Sequence, residues 1–255
     1  MKRAATALVL IPVIVWVVLW SPLWAFDAVL IVVGVLALRE FGHIAAAHGV
    51  SPAGWPAAAC GIALLFAPEP VIAIVLIALI AMTLALRSRD LKEALPSAST
   101  FVLGVLYIFG AWRCAAGLRE INPHWLMLSL LVSWAGDTAA MYAGRSFGKH
   151  KLAPHVSPGK TWEGSFGSVA GGLVAALVYA HYLIPSVPGR TVIAVAAVAN
   201  VAGQAGDLSE SALKRGASMK DSGATLPGHG GWLDRIDSTL FAIPVVYAIL
   251  KYASL

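Results

Sequence analysis

The sequence predicts an all-α fold, a polytopic integral membrane helical bundle, and three observations carry that prediction. Of 255 residues, 59% are hydrophobic and only 12% charged, where a soluble domain has roughly a quarter charged. Mean hydropathy is +0.79. Several apolar runs approach or reach the roughly 17–25 residues with which a helix crosses a bilayer, while the alternating pattern of an outer-membrane barrel strand is absent.

Nine candidate helices follow in order, at about 4–20, 24–38, 55–66, 71–86, 98–117, 125–142, 164–184, 191–205 and 239–254. The first lies in MKRAATALVLIPVIVWVVLW, which has the basic-then-apolar order of a secretory leader, and SPLWA resembles a cleavage region. A second apolar run, Ala25 to Leu38, comes at once and favours an uncleaved first span. The third helix is short, and Pro68-Glu69-Pro70 separates it only weakly from the fourth; merging the two gives eight. The chain, 1–255, reads as one integral membrane domain. Its N-terminal helices occupy 1–120, and its C-terminal helices, over 121–255, carry two long polar loops, 143–163 and 206–238. In GSFGSVAGG (164–172), the pairs Gly164/Ser168, Gly167/Gly171 and Ser168/Gly172 are four apart, a spacing that lets helices approach closely. Cys60 and Cys114 lie in apolar runs without a metal-ligand spacing and read as small buried hydrophobes.

Charge sets the orientation. With the N-terminus in the cytoplasm, 14 of the 18 Lys and Arg residues fall in inside loops and helix ends. Arg113, Arg119, Arg190 and Lys251 are the exceptions. The reverse orientation would invert the cytoplasmic excess of basic residues. Both long loops then face the cytoplasm, where nucleotides are found. The net charge of +5 suits an anionic lipid surface or a phosphate-bearing substrate; no nucleic-acid partner is expected.

The 206–237 stretch, GDLSESALKRGASMKDSGATLPGHGGWLDRID, concentrates charge that the rest of the chain lacks. Asp207, Asp221, Asp234 and Asp237 are costly beside a membrane span unless paired or bound to a cation. One structural account pairs them with Lys214, Arg215, Lys220 or Arg235, but it leaves the glycines unexplained. Asp234 and Asp237 are three apart and share a face if the last helix begins there. Asp207, following Gly206, would meet them at one interface. Several carboxylates there would suit Mg²⁺, which binds a few carboxylates plus substrate phosphates. Gly223, Gly228, Gly230 and Gly231 would let backbone N–H groups approach phosphate oxygens, and the four basic residues would offset anionic charge. These are the components of phosphoryl or nucleotidyl transfer. His229 is read equally as a proton donor to a leaving phosphate or as a hydrogen-bonding loop residue. The histidines at 43, 48, 124, 150, 155 and 181 have no convincing metal-ligand spacing.

The other loop, within WAGDTAAMYAGRSFGKHKLAPHVSPGKTWEG (134–164), offers Asp137, Arg145, Lys149, His150, Lys151, Ser157, Lys160, Thr161 and Glu163. Neither GRSFGKH nor SPGKT completes a P-loop: the first is one residue short and ends in His, and the second has Pro154 where a Gly belongs. Asp137, in the last turns of the sixth helix, is read as a site residue in preference to a packing one.

Residues 130–240 resemble the phosphatidate cytidylyltransferases (CDP-diacylglycerol synthases). That family's pattern runs S-x-aliphatic-K-R, then K-D-x-small, L-P-x-H-G-G and D-R-x-D. In register are Ser211, Leu213, Lys214, Arg215, Lys220, Asp221, Gly223, Leu226, Pro227, His229, Gly230, Gly231, Asp234, Arg235 and Asp237. SPGKTWEG, Asp137, Tyr142 and Gly144 extend the likeness. Trp232 departs from the aliphatic residue, Met or Phe usual there, and every charged position is kept. Before residue 130 only hydropathy agrees.

The resemblance implies that CTP and phosphatidate give CDP-diacylglycerol and pyrophosphate, among membrane lipids. It also implies Mg²⁺ together with a second cation, K⁺, with Asp207 and Asp234 at the metal positions and Asp237 close by. Lys214, Arg215, Lys220 and Lys160 would hold CTP or lipid phosphates, with Ser157, Asp137, Ser211, Gly230 and Gly231 also toward substrate. Asp221, His229 and Arg235 complete the candidate catalytic set. A homodimer is left open. A CTP-dependent polyprenol kinase is the nearest rival, against which the extended HGG–DR–D pattern argues. A CDP-alcohol phosphotransferase lacks its DGxxAR-type motif here. A transporter would spread its carboxylates through several spans.

Overall fold

The computed structural model describes residues 2–52, 54–88, 90–223, 225 and 230–252. Its helices are α1 (Lys2–Leu19), α2 (Leu23–Ala47), α3 (Gly54–Phe66), α4 (Pro70–Ala85), α5 (Ala94–Val105), α6 (Ala111–Ile121), α7 (Pro123–Phe147), α8 (Trp162–Leu183), α9 (Gly189–Gly216) and α10 (Leu233–Tyr252). A 3₁₀ turn leads into α5, and a π-helical turn at Leu106–Gly110 joins α5 to α6, so Leu91–Ile121 is one continuous helix. Counted that way, the described residues form nine helices, each at an expected place. Pro70 opens α4 at its first turn, where a missing N–H costs nothing, so α3 and α4 are separate.

Five of these helices are long and apolar enough to cross a membrane: Leu23–Ala47, Leu91–Ile121, Pro123–Phe147, Trp162–Leu183 and Gly189–Gly216. On the shorter α4, Val71, Ile72, Val75, Leu79 and Met82 are all exposed. A surface of that kind fits hydrocarbon and not water; this is an integral membrane protein.

Four differences from the expected layout concern the polar segments, one of them that α10 starts at Leu233, inside the expected 206–238 loop. α2 runs on to Ala47, because Phe41, Ile44 and Ala45 continue its buried stripe. α9 runs on to Gly216, so Asp207, Ser211, Lys214 and Arg215 are helical and not in a loop. Polarity in GDLSESALKR suggested a loop, yet Leu, Glu, Ala, Lys and Arg are good helix formers. The 143–163 segment begins as the end of α7 and then forms an antiparallel hairpin, β1 (Lys151–Ala153) and β2 (Ser157–Thr161). Lys151 Nζ donates to Pro158 O at 2.8 Å across it.

The chain divides into two compact units. The first comprises residues 1–10, 22–116 and 213–235. At its core is Phe109, fully buried. Added Cβ atoms at Gly34 of α2 and Gly61 of α3 would overlap its ring, so those glycines set how closely the helices approach. The π-helical turn turns both Ile108 and Phe109 inward.

The second unit comprises residues 11–21, 117–212 and 236–255. Here α7 and α8 pack through the small residues of GSFGSVAGG: Gly167 lies against Ala143, Gly171 against Ala139, and Gly164 against Gly144. The packing function expected of that spacing is the observed one. Asn122 caps α7, accepting the His124 N–H at 2.9 Å. Arg119 donates to the carbonyls of Val18, at 3.1 Å, and Ser21, where α1 ends.

Candidate active site

The second unit contains a cavity of about 350 Å³ between α7, the hairpin, α8 and α9. Its construction starts at Thr161, whose Oγ1 accepts the Gly164 N–H at 3.1 Å and caps α8. The cap turns strand into helix and leaves Lys160 on the cavity wall. Gly144 and Gly164 approach closely beside it. Asp137 and Arg145 enter the wall from α7, and Gln204 and Asp207 from α9.

Lys160 Nζ lies 2.5 Å from Asp207 Oδ2, and their side chains are 27% and 31% exposed. Solvent and solutes therefore reach both. Ser211 Oγ donates to Asp207 Oδ1 at 3.3 Å. Beneath them runs a polar ladder: Ser165 Oγ donates to Gln204 Oε1 at 2.5 Å, and Gln204 Nε2 donates to Asn200 Oδ1 at 2.7 Å. Asn200 Nδ2 in turn donates to Ser168 Oγ at 3.1 Å. These bonds fix Gln204 one helical turn before Asp207 and so the direction of that wall of α9.

Asp237 is buried and accepts the Ser238 N–H at 2.6 Å. Its backbone carbonyl lies where a Cβ on Gly206 would be only 2.6 Å away. α10 thus approaches α9 at Gly206, the residue before Asp207. Ser157 is half-buried in β2.

Asp234 belongs to the first unit, at the start of α10 and before its apolar part. It faces Lys214: Nζ and Oδ1 are 2.5 Å apart, with side chains 9% and 7% exposed. It also accepts the Ser222 N–H at 3.0 Å and the Gly231 N–H at 2.8 Å. Burial pushes the Asp234 carboxyl pKa up, but the hydrogen bonds from Lys214, Gly231 and Ser222 outweigh burial and hold it below its ordinary value. Gly230 has φ +79°, a turn that glycine takes without strain. The Gly231 N–H, expected to face phosphate, is committed to Asp234. Arg215 Nη1 donates to Met219 O at 3.0 Å, while Lys220, Asp221 and Arg235 are exposed. His229 and Gly228 lie outside the described residues.

Three residues now in view were not candidates from the sequence. Gln204 and Ser165 are cavity residues, and the pair Asn200/Gln204, polar and four apart in an apolar run, was the available signal. Glu40, on α2, is 2% exposed and accepts bonds from the 222–233 segment. A carboxylate well inside an apolar helix was its signal. Among the described residues no three His, Cys, Asp or Glu side chains form a ready metal cage. Asp207 fits an open Mg²⁺ site instead: it is a hard oxygen donor on a cavity wall, and Mg²⁺ commonly takes one or two carboxylates with substrate phosphates completing its shell.

Fold and cavity together define a helical membrane protein with mixed carboxylate and cationic groups in a solvent-reachable polar pocket. The profile of the cytidylyltransferase family matches residues 1–253, and the chain belongs to that family. Curated relatives include a phosphatidate cytidylyltransferase of Bacillus subtilis, 38% identical over 155 residues, covering 60% of this chain and 58% of the relative. One of Haemophilus influenzae is 46% identical over 123 residues, 47% of this chain and 43% of the relative. One of Staphylococcus haemolyticus is 36% identical over 161 residues, 63% of this chain and 59% of the relative. The chain spans about half the length of the curated relatives it matches.

Proposed function

We propose that the protein is a phosphatidate cytidylyltransferase, an integral protein of a bacterial-type cytoplasmic membrane, converting CTP and phosphatidate to CDP-diacylglycerol and pyrophosphate. The observation that carries this reading is the Lys160–Asp207 pair, reachable from solvent in a cavity also lined by Asp137 and Arg145. Cations there would meet triphosphate oxygens, while the carboxylates suit a divalent ion. An oxygen of the phosphatidate phosphate attacks the α-phosphorus of CTP; the bond to the bridging oxygen breaks and pyrophosphate leaves. Phosphatidate arrives already ionised, so no strong base is required. Lys160 and Arg145 would reduce the repulsion between two anionic substrates and hold them in line.

Mg²⁺ is the proposed cation, with K⁺ as the second; Asp207 and Asp234 match the acidic positions that the family resemblance assigns to the metals, and Asp237 stands close to them in the sequence. The metal would neutralise charge developing on the phosphates. The proposed orientation puts the N-terminus and both polar segments in the cytoplasm, which delivers CTP to the cavity and keeps acyl chains among the helices. Purified protein should release pyrophosphate only when CTP and phosphatidate are both present. Chelation should stop release and added Mg²⁺ restore it. Release that continues with diacylglycerol in place of phosphatidate would overturn the proposal.

A further inference from the structure

Glu40 stands on α2, in the candidate span Leu23–Ala47, and is 2% exposed. A carboxylate placed there is costly unless hydrogen-bonded. Among the described residues, Ser222, Thr225 and Leu233, far along the chain, donate to it. Ser222 Oγ donates to Oε2 at 2.9 Å, Thr225 Oγ1 to Oε1 at 2.6 Å, and the Leu233 N–H to Oε2 at 2.9 Å. The segment is shaped to this carboxylate: a Cβ on Gly223 would lie 2.7 Å from Oε1, and one on Gly231 would overlap Oε2.

The same residues are held from their other side by Asp234. Ser222 gives its hydroxyl to Glu40 and its N–H to Asp234. Gly231 gives its N–H to Asp234 and has its Cα against Glu40. Leu233, bonded to Glu40, is the residue before Asp234. Residues 222, 231 and 233 are therefore held by Glu40 on one side and meet or adjoin Asp234 on the other.

We propose that Glu40 is a positioning residue: by holding Ser222, Thr225 and Leu233 it fixes Asp234, and the Lys214 ammonium paired with it, for phosphate and cation binding. The assignment rests on the proposed cytidylyl transfer for its consequence in activity, but not for the clamp itself. It also accounts for the small residue required at Gly223 and Gly231 by the volume of the Glu40 carboxylate, with no phosphate invoked.

The test compares Glu40→Ala and Glu40→Gln in the full chain. In Glu40→Gln the amide oxygen can take the place of Oε2, toward Ser222 and Leu233, while the NH₂ faces the Thr225 hydroxyl, which can accept. Glu40→Ala removes all three acceptor contacts. Amide hydrogen exchange in 220–223 and 230–235 should quicken about tenfold or more in Glu40→Ala, with α7 and α8 unchanged. The Mg²⁺ concentration for half-maximal turnover should rise about 10–100-fold, the usual cost of losing a group that orients a ligand, with a smaller change in kcat at saturating Mg²⁺. Glu40→Gln should stay within about threefold of wild type on both readouts. Ser222→Ala, which loosens the clamp from the other side, should shift both measures in the same direction as Glu40→Ala. Unchanged exchange in Glu40→Ala would overturn the proposal, as would faster exchange spread equally through α7 and α8. A wild-type protein that transfers no cytidylyl group would refute the proposed reaction, and the exchange result would still decide the clamp.

Discussion

Asp207→Asn should lower the proposed CDP-diacylglycerol formation by about a hundredfold or more, on the scale of losing a principal group that stabilises transition-state charge, and should leave the protein folded. The substitution suits this test because Asp207 is reachable from solvent and its neighbours tolerate the change. The amide oxygen can take the place of Oδ2 toward Lys160 while the NH₂ faces the Ser211 hydroxyl, which can accept, so no buried charge is left without a partner. What disappears is the negative charge that would hold a divalent cation. Thermal unfolding in detergent should stay within a few degrees of wild type, since a surface ion pair contributes only about 0–1 kcal/mol. Lys92→Gln, on the exposed helical turn before α5, should leave turnover unchanged and serves as the control. Wild-type turnover in well-folded Asp207→Asn would remove this residue from the chemistry.

Lys214→Met has its largest effect on stability. The Lys214–Asp234 pair is buried on both sides, and removing one member of such a pair leaves a carboxylate with too few donors. Breaking a buried pair in this way costs about 3–5 kcal/mol, so the unfolding temperature should fall by roughly 6–20 °C. The double variant Lys214→Met/Asp234→Asn removes the stranded charge and should recover part of that loss without recovering activity. A single variant as stable as wild type, measured by the same thermal unfolding, would show that the pair does not carry the segment.

These two carboxylates show where the sequence was legible. Asp207 and Asp234 stand out equally in it, as acidic residues beside apolar runs, and nothing in their spacing separates their roles. The fold separates them: Asp207 faces a cavity, whereas Asp234 is enclosed by Lys214 and two backbone N–H groups. Asp234→Asn would therefore disturb the 222–233 segment as well as any cation, which makes Asp207 the clearer target. The helices were legible because apolar runs and prolines mark them directly, and GSFGSVAGG marked a close helix contact without naming its partner, α7. The extension of α9 was not, because a polar helix has no hydropathy signal. The β1–β2 hairpin was hidden for a similar reason: two strands of three and five residues are too short to show alternation. Glu40 carried a signal as a carboxylate in an apolar helix, but its role was not legible, because its partners, beginning at Ser222, lie 182 residues further along the chain and a lone sequence does not reveal such a pairing.

The central claim is cytidylyl transfer, and CTP labelled separately at the α- and γ-phosphates tests it most directly. With purified protein, phosphatidate and Mg²⁺, the α-label should appear in the lipid and the γ-label in pyrophosphate. γ-Label passing to an added polyprenol, with no α-label in lipid, would contradict the claim and assign the cavity to a kinase.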